Sequence, residues 1–375
     1  MALPNPEFLL RSAFWCALAL AAYAYLGYPA WLWLRRSWKH APVCPSDTLA
    51  AITIVIAARN EADTIARKIA NLRALDYPAE LIEIIVVSDG STDRTPAILR
   101  SLTDAGVRAV ELPQAQGKAI ALNHGVAEAR GEIVLFTDAR QRLDPGAARA
   151  LVANFSDPSV GAVSGELMLG DERQGLGLYW RLEKLIRQWE SATGSTVGVT
   201  GALYAVRRKL LQPLPAGTIL DDVLIPMEVV RQGHRVLFEP AARAHDDLAN
   251  SRREFRRKVR TLTGNYQLLQ LAPWLLTGEN PARFEFVCHK LLRLVVPFAL
   301  VAMLLCALLG GSPLYHGLFG LQCLFYALAL LAREGRQIPG ISRVANLSHA
   351  LVLLNAAAAL ALVYFLSGKR TVWSR

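Results

Sequence analysis

Four long apolar runs constrain this sequence more than any other feature. Residues 12–34, 294–311, 314–332 and 344–366 contain no Asp, Glu, Lys or Arg. At 1.5 Å per residue, a helix of that length approaches or exceeds a hydrocarbon core about 30 Å thick. A water-soluble domain has no interior for four such helices, so the chain is expected to be a multi-pass membrane protein. The first run is longer than a signal-peptide core. It ends in Tyr28, Trp31 and Trp33, an interfacial aromatic set, and reads as an uncleaved anchor. The runs hold no charged residue that would mark an ion or proton pathway, which argues against a transporter.

Composition agrees. Hydrophobic residues make up 53% and charged ones 19%, below the share of about 25% that is usual for soluble domains. The formal net charge of +10 would suit a nucleic-acid binder. However, Arg35, Arg36 and Lys39 follow the first run, and Arg283, Lys290 and Arg293 precede the second. The excess is therefore assigned to anionic lipid headgroups, with the lipid bilayer as partner and no nucleic acid. The same bias places residues 35–293 in the cytosol beneath an inner (plasma) membrane. The turn at 311–313 is then outside and the loop with Arg333, Arg336 and Arg343 inside. Four crossings leave a tail with Lys369, Arg370 and Arg375 outside, against the rule. Either the tail lies there or the last run does not cross fully. Five cysteines show neither metal-site spacing nor a disulfide framework.

Between the first two runs, strand-like and helix-like segments alternate. Residues 52–57, 82–87, 107–112 and 133–137 are β-rich and apolar, while Ile65, Ile69 and Leu72 share one helical face. Helices are also expected over 95–104 and 119–129. This predicts an α/β domain with a mostly parallel sheet, whose ligands bind beyond the carboxyl ends of the strands. The expected units are a transmembrane anchor (1–40), the α/β domain (41–250), amphipathic interfacial helices (251–290) and a three-span membrane domain (291–375). Three strands end in Ala57-Ala58-Arg59-Asn60-Glu61, in Ser88-Asp89-Gly90-Ser91-Thr92-Asp93 and in Thr137-Asp138-Ala139-Arg140. One Asp-Gly-Ser alone is turn chemistry. Acidic and amide groups at three strand ends suit a base, a ribose and a metal-bound diphosphate. There is no Walker-type or dinucleotide glycine fingerprint, and Gly90 and Gly117 do not make a Gly-x-Gly series, so dehydrogenase and kinase readings have little support.

These motifs are followed, in order, by Gly117-Lys118-Ala119, Asn123, Thr200-Gly201-Ala202 and Leu220-Asp221-Asp222. Over about residues 50–275 the set resembles the family-2 glycosyltransferases of the GT-A fold, nearest to membrane-bound cellulose, chitin and hyaluronan synthases. The resemblance implies a nucleotide-sugar-binding α/β GT-A domain plus α-helical transmembrane segments. It implies inverting transfer from a nucleotide sugar, expected to be a UDP-sugar, to a growing surface or extracellular polysaccharide. The alternatives are transfer of one sugar to a lipid-linked acceptor and, outside enzymes, a degenerate membrane scaffold. A polymer channel of so few spans would need a homo-oligomer or polysaccharide-export partners.

By the same resemblance, Ala58, Asn60, Glu61, Asp89, Lys118, Asp138, Arg140 and Arg260 form the donor site, and Asp222 is the catalytic base beside Asp221. One aspartate suffices to cap a helix, which accounts for Asp221 and leaves Asp222 free. Adjacent carboxylates raise one another's pKa, which suits a base near neutrality. Asp138 stands at the first aspartate of the family's Asp-x-Asp motif, but the third position is Arg140. Two arrangements follow. Mg²⁺ or Mn²⁺ is held by Asp138, diphosphate oxygens, water and His245, or Arg140 itself clamps phosphate. Residues 246–271 form a basic amphipathic helix suited to a membrane surface. The family's Gln-x-x-Arg-Trp falls on Arg257-Lys258-Val259-Arg260-Thr261, which keeps the arginine and lacks the Gln and Trp. That tryptophan floors the acceptor site in the synthases, so its loss counts against processive extension. Tyr179, Trp180 and Trp189 could stack on a sugar and equally well fill a core.

Overall fold

A computed structural model describes residues 5–103, 106–169, 177–246, 251–333 and 342–368. The segment with Arg336, and the tail with Lys369, Arg370 and Arg375, lie outside the described residues, as do the side chains of 251–254.

The strands are β1 (Ile52–Ala58), β2 (Ile82–Asp89), β3 (Val107–Leu112), β4 (Ile133–Thr137), β5 (Arg142–Leu143), β6 (Val160–Leu169), β7 (Leu203–Arg207) and β8 (Arg235–Asp246). They form one sheet in the order β3-β2-β1-β4-β7-β6-β8-β5. The first four are mutually parallel, β7 runs antiparallel to β4 and β6, and β8 is parallel to β6. Every residue of β1 is buried, as expected for a strand covered on both faces. Its side chains alternate between two cores. Val55 and Ala57 pack with Leu122 and Phe136 on one face; Ile54 and Ile56 pack with Ile65, Ile69 and Leu72 on the other. Helices α3 (Ile65–Arg73), α4 (Thr95–Ser101), α5 (Lys118–Glu128) and α6 (Ala147–Ala153) are the crossovers that cover these faces. The mostly parallel α/β sheet expected from the alternating pattern is present, and the antiparallel pairs of β5 and β7 make it mixed.

Four helices are long and apolar enough to cross a membrane: Pro6–Arg35, Arg283–Leu309, Pro313–Ala332 and Ser342–Leu366. The first comprises α1 (Pro6–Ala22), a π-turn and α2 (Tyr28–Arg35). The second comprises α10 (Arg283–Phe286), a π-turn at Val287–Leu291 and α11 (Leu292–Leu309), followed by α12 (Pro313–Arg333) and α13 (Ser342–Leu366). The second helix therefore begins well before the apolar run at 294. Its first turns carry Glu285, His289, Lys290 and Arg293, of which three find partners in the α/β domain and the first helix. Tyr28 is not an interfacial aromatic: it is fully buried and its hydroxyl donates to Glu190 Oε1 at 2.6 Å.

Two further helices join the parts. On α7 (Gly177–Thr193), Glu183 and Glu190 lie buried beside the second membrane helix. His289 places Nε2 2.7 Å from Glu183 and Nδ1 2.8 Å from Glu190, and Arg293 donates to Glu183 at 2.7 Å. Arg35 is paired with Glu285. Burial alone would raise the two α7 carboxyls, yet the Arg293 and His289 charges hold Glu183 well below the usual carboxylate range, and His289 does the same, less strongly, for Glu190.

The basic helix α9 (Ser251–Leu271) is packed against protein rather than lying on a surface alone. Tyr266 stacks on Phe365 of α13 with centroids 5.5 Å apart, and Leu268 is fully buried in the α/β core. Trp189 packs with Tyr28, Leu32 and Ile186, and Lys258 lies 4.1 Å over the Trp180 ring, so neither is a bare platform; the Tyr179 side chain lies outside the described ones.

Candidate active site

The carboxyl ends of β1, β2 and β4 meet above α5 and the start of α8 (Asp221–Arg231). At β2, Asp89 is fully buried, and its two oxygens accept backbone N–H groups of Gln116 (2.6 Å) and Gly117 (2.9 Å). The residue assigned to the nucleotide thus fixes the loop that delivers Lys118. Gly90 is forced by the same approach: at φ +56°, a Cβ there would lie 2.2 Å from the Ala115 nitrogen. At β1, Ala58 is buried, and Asn60 adopts φ 56° and accepts the Thr92 N–H at 2.8 Å, tying the first strand end to the second.

Lys118 is the hub. Its ammonium lies 3.2 Å from Asp138 Oδ1 and 3.2 Å from Asp221 Oδ2. Burial pulls this lysine down, but Asp138, Asp221 and Asp222 outweigh it and hold it above the usual range, so it is a fixed cation. Asp221 is buried and does not cap its helix; the N-cap is Leu220, without a side-chain bond. Both aspartates occupy the first turn of α8, where the helix dipole favours negative charge. Asp222 is half-buried. A methyl on Gly201 would sit 3.5 Å from Asp222 Oδ2, so the Thr200-Gly201-Ala202 stretch lies directly against it. Burial, and then the neighbouring charge of Asp221, push the Asp222 carboxyl up to about 6, against the opposing charges of Lys118, Lys290 and Arg260.

Arg140 is exposed and forks onto Glu61, with Nε 2.9 Å from Oε1 and 3.1 Å from Oε2. Asp138, Lys118, Asp221 and Asp222 are therefore brought together, and the Glu61–Arg140 pair stands beside Asp138 as a second charged edge. His245 places its Nε2 2.9 Å from Asp144 Oδ1, on the β5–β8 ladder. No group of three His, Cys, Asp or Glu residues with metal-holding geometry occurs among the described residues. With no such group, a divalent ion would be held here by Asp138 together with the oxygens of a bound diphosphate, an arrangement usual for Mg²⁺ at phosphate sites.

Two residues of the site escape motif reading. Lys68 is buried at 3% exposure, donating to Thr137 Oγ1 (2.9 Å) and to the Gln141 carbonyl (2.6 Å) directly beneath Asp138. Burial draws its pKa down to about 7, with Asp138 pulling the other way. Its position between Ile65 and Leu72 on the apolar face of α3 is the signal that could have found it. Lys290 is the other, and comes from the membrane helix.

Residues 53–213 match the model of glycosyl transferase family 2, a stretch that ends before Asp221. The poly-beta-1,6-N-acetyl-D-glucosamine synthase of Staphylococcus aureus is 29% identical over 219 residues, 56% of this chain and 53% of the relative. This chain thus spans about half the length of the curated relatives it matches first. The beta-monoglucosyldiacylglycerol synthase of Synechocystis is 26% identical over 318 residues, 77% of this chain and 65% of that one. Among solved structures, a mannosyltransferase from Pyrobaculum calidifontis in complex with GDP-Man and Mn²⁺ superposes with a TM-score of 0.73 at 26% identity, over 95% of this chain and 99% of that one. The sheet, its strand-end charges and these likenesses converge: this chain carries a family 2 glycosyltransferase domain of the GT-A fold, joined to four membrane-length helices.

Proposed function

We propose that the protein is an inverting glycosyltransferase that moves a sugar from a nucleotide sugar to a growing surface polysaccharide at the cytosolic face of the inner membrane. The observation that carries this reading is the Asp138–Lys118–Asp221–Asp222 constellation at the strand ends, with one cation neutralising two carboxylates and leaving Asp222 as the base. The donor diphosphate is placed over Asp138 and Lys118, with the nucleoside toward the Asn60 and Asp89 loops. Asp222 takes the proton of the acceptor hydroxyl, whose oxygen forms a bond to the anomeric carbon. The bond from that carbon to the diphosphate oxygen breaks, and the nucleoside diphosphate leaves with its electron pair. Attack from the face opposite the leaving group inverts the anomeric centre. Asp138 would hold a divalent ion accompanying the donor, and such an ion would supply charge neutralisation to the diphosphate. Lys68 holds the 137–141 turn and so orients Asp138.

A UDP-N-acetylhexosamine is the first donor to test, since the Staphylococcus relatives are named for a poly-N-acetylglucosamine product. A lipid-linked acceptor is the second reading. It is favoured by Thr261 standing where the synthases carry their acceptor-site tryptophan, and by the span of the match to the diacylglycerol glucosylating relative. The deciding experiment incubates purified full-length protein with a panel of labelled nucleotide sugars in native-lipid nanodiscs and sizes the product. A long β-linked polymer supports the first reading and a single-sugar lipid the second. Absence of turnover with every nucleotide sugar, with the protein folded and metal supplied, overturns both.

A further inference from the structure

Lys290 follows His289 in the π-turn that opens the second membrane helix. His289 is clamped between Glu183 and Glu190, so the turn is fixed to the α/β domain and its neighbour is fixed with it. Lys290 lies on the side of the active site. A methyl built on Gly198 would sit 3.5 Å from its Nζ and 3.6 Å from the Asp222 carbonyl oxygen. Among the described residues the ammonium has no ion pair: the α7 carboxylates that feel its charge are taken by His289, Arg293 and Tyr28. A half-buried ammonium without a carboxylate is costly unless an anion joins it. Arg260 approaches the same base from α9. It stands one turn before Gly264, where a side chain would strike Leu220 at 2.5 Å, so it shares the helix face that fronts the Asp221–Asp222 turn. Lys118 is already neutralised by two aspartates. Lys290 and Arg260 are thus the cations around Asp222 with charge to spare; the resemblance already places Arg260 at the donor, and Lys290 falls in none of its motifs.

We propose that Lys290 is a phosphate-binding residue of the active site, contributed by the second membrane helix rather than by the α/β domain and added to the donor-site arginine Arg260. The assignment rests on the transfer reaction above for its place beside the base. Its phosphate comes either from the donor diphosphate or from a phosphate on a lipid-borne acceptor.

The experiment measures binding to the detergent-purified full chain of inorganic pyrophosphate, UDP, uridine and dodecyl phosphate. It compares wild type, Lys290→Gln, Lys290→Arg and, as a control, Arg100→Gln, an exposed residue paired with Glu111. Loss of one charge-assisted contact lowers affinity by about ten- to a hundred-fold. Lys290→Gln is expected to lose that much for phosphate-bearing probes, with uridine affinity and melting temperature unchanged. Lys290→Arg is expected to keep most of the affinity and Arg100→Gln all of it. Loss for pyrophosphate and UDP assigns the donor diphosphate; loss for dodecyl phosphate alone assigns the acceptor. Wild-type affinity of Lys290→Gln for all three phosphates overturns the proposal. So does equal damage in the Gln and Arg variants with a lowered melting temperature, which marks a packing residue. A wild-type chain that binds pyrophosphate through Lys290 yet turns over no nucleotide sugar keeps this proposal and sinks the transferase reading instead.

Discussion

Asp222 sits between two influences of opposite sign. Burial and Asp221 raise its pKa to about 6, while Lys118, Lys290 and Arg260 restrain it. A base must be ionised to act, so kcat/KM should fall as pH drops through about 6, with the acid limb belonging to the aspartate pair. Replacing Lys118 with Met removes a restraint, so the acid limb should move to higher pH while donor affinity falls. Asp222→Asn should abolish turnover and leave UDP binding within about twofold, because the base serves the acceptor. A pH–rate profile that stays flat between 5 and 7 would remove Asp222 from the mechanism. Much of this quartet was legible, because motif order alone puts Asp138, Lys118, Asp221 and Asp222 at the ends of strands and starts of helices. Asp89 reads in the sequence as a nucleotide contact and not as the clamp on the Gln116–Gly117 backbone, since a carboxylate at a strand end looks the same whether it accepts from a ligand or from the chain. Lys68 was illegible because a lysine in an amphipathic helix is ordinarily solvated; only its place among apolar neighbours distinguishes it.

Helix α9 shows how an element can be located in the sequence without its partners being visible there. Its apolar face and basic remainder predict a surface helix, and that periodicity is the same whether the apolar stripe meets lipid or protein. The structure packs it between α13 and the segment that leads into the Asp221–Asp222 turn. Gln267 accepts the Ile219 N–H at 2.9 Å and donates to the Gly217 carbonyl at 2.8 Å, bracketing the residues just before Asp221. Gln267→Leu therefore leaves one backbone donor and one acceptor unpaired, at a cost of about 1–3 kcal/mol each where water cannot reach them. Turnover should drop by at least tenfold with little change in UDP affinity, and amide exchange at Ile219 should quicken. Unchanged exchange there would mean that the 217–220 segment holds its shape without α9. The early start of the second membrane helix was hidden for a related reason. His289, Lys290 and Arg293 interrupt the hydropathy signal, and the carboxylates that pair with His289 and Arg293 lie far away in sequence, on α7.

At the scale of the whole molecule, the question is what makes the membrane helices and the α/β domain a single unit. One contact is apolar: Tyr28 and Leu32 of the first helix pack with Ile186 of α7 and Cys288 of the second membrane helix. The other is the buried chain Tyr28–Glu190–His289–Glu183–Arg293, which crosses all three elements. At the far end the membrane helices meet each other, as where Phe14 packs on Tyr315 and the Trp15 indole donates to the Tyr315 hydroxyl at 3.1 Å. These two regions allow a controlled comparison. Tyr28→Phe keeps the ring and removes one hydrogen bond to a buried carboxylate, a loss of about 1.5–3 kcal/mol. Trp15 is half exposed on the lipid-facing side, and Trp15→Phe should change stability by no more than about 0.5 kcal/mol. If the polar chain couples the two parts, Tyr28→Phe should also loosen the turn that carries Lys290 and lower transfer, although Tyr28 touches no substrate. Adding Glu190→Gln should then cost less than the sum of the single changes, since both weaken one network. Thermal unfolding and turnover of the two single variants and the double variant in nanodiscs measure this directly. Strict additivity, or equal effects at Tyr28 and Trp15, would mean that the membrane helices hold the catalytic domain by apolar packing alone.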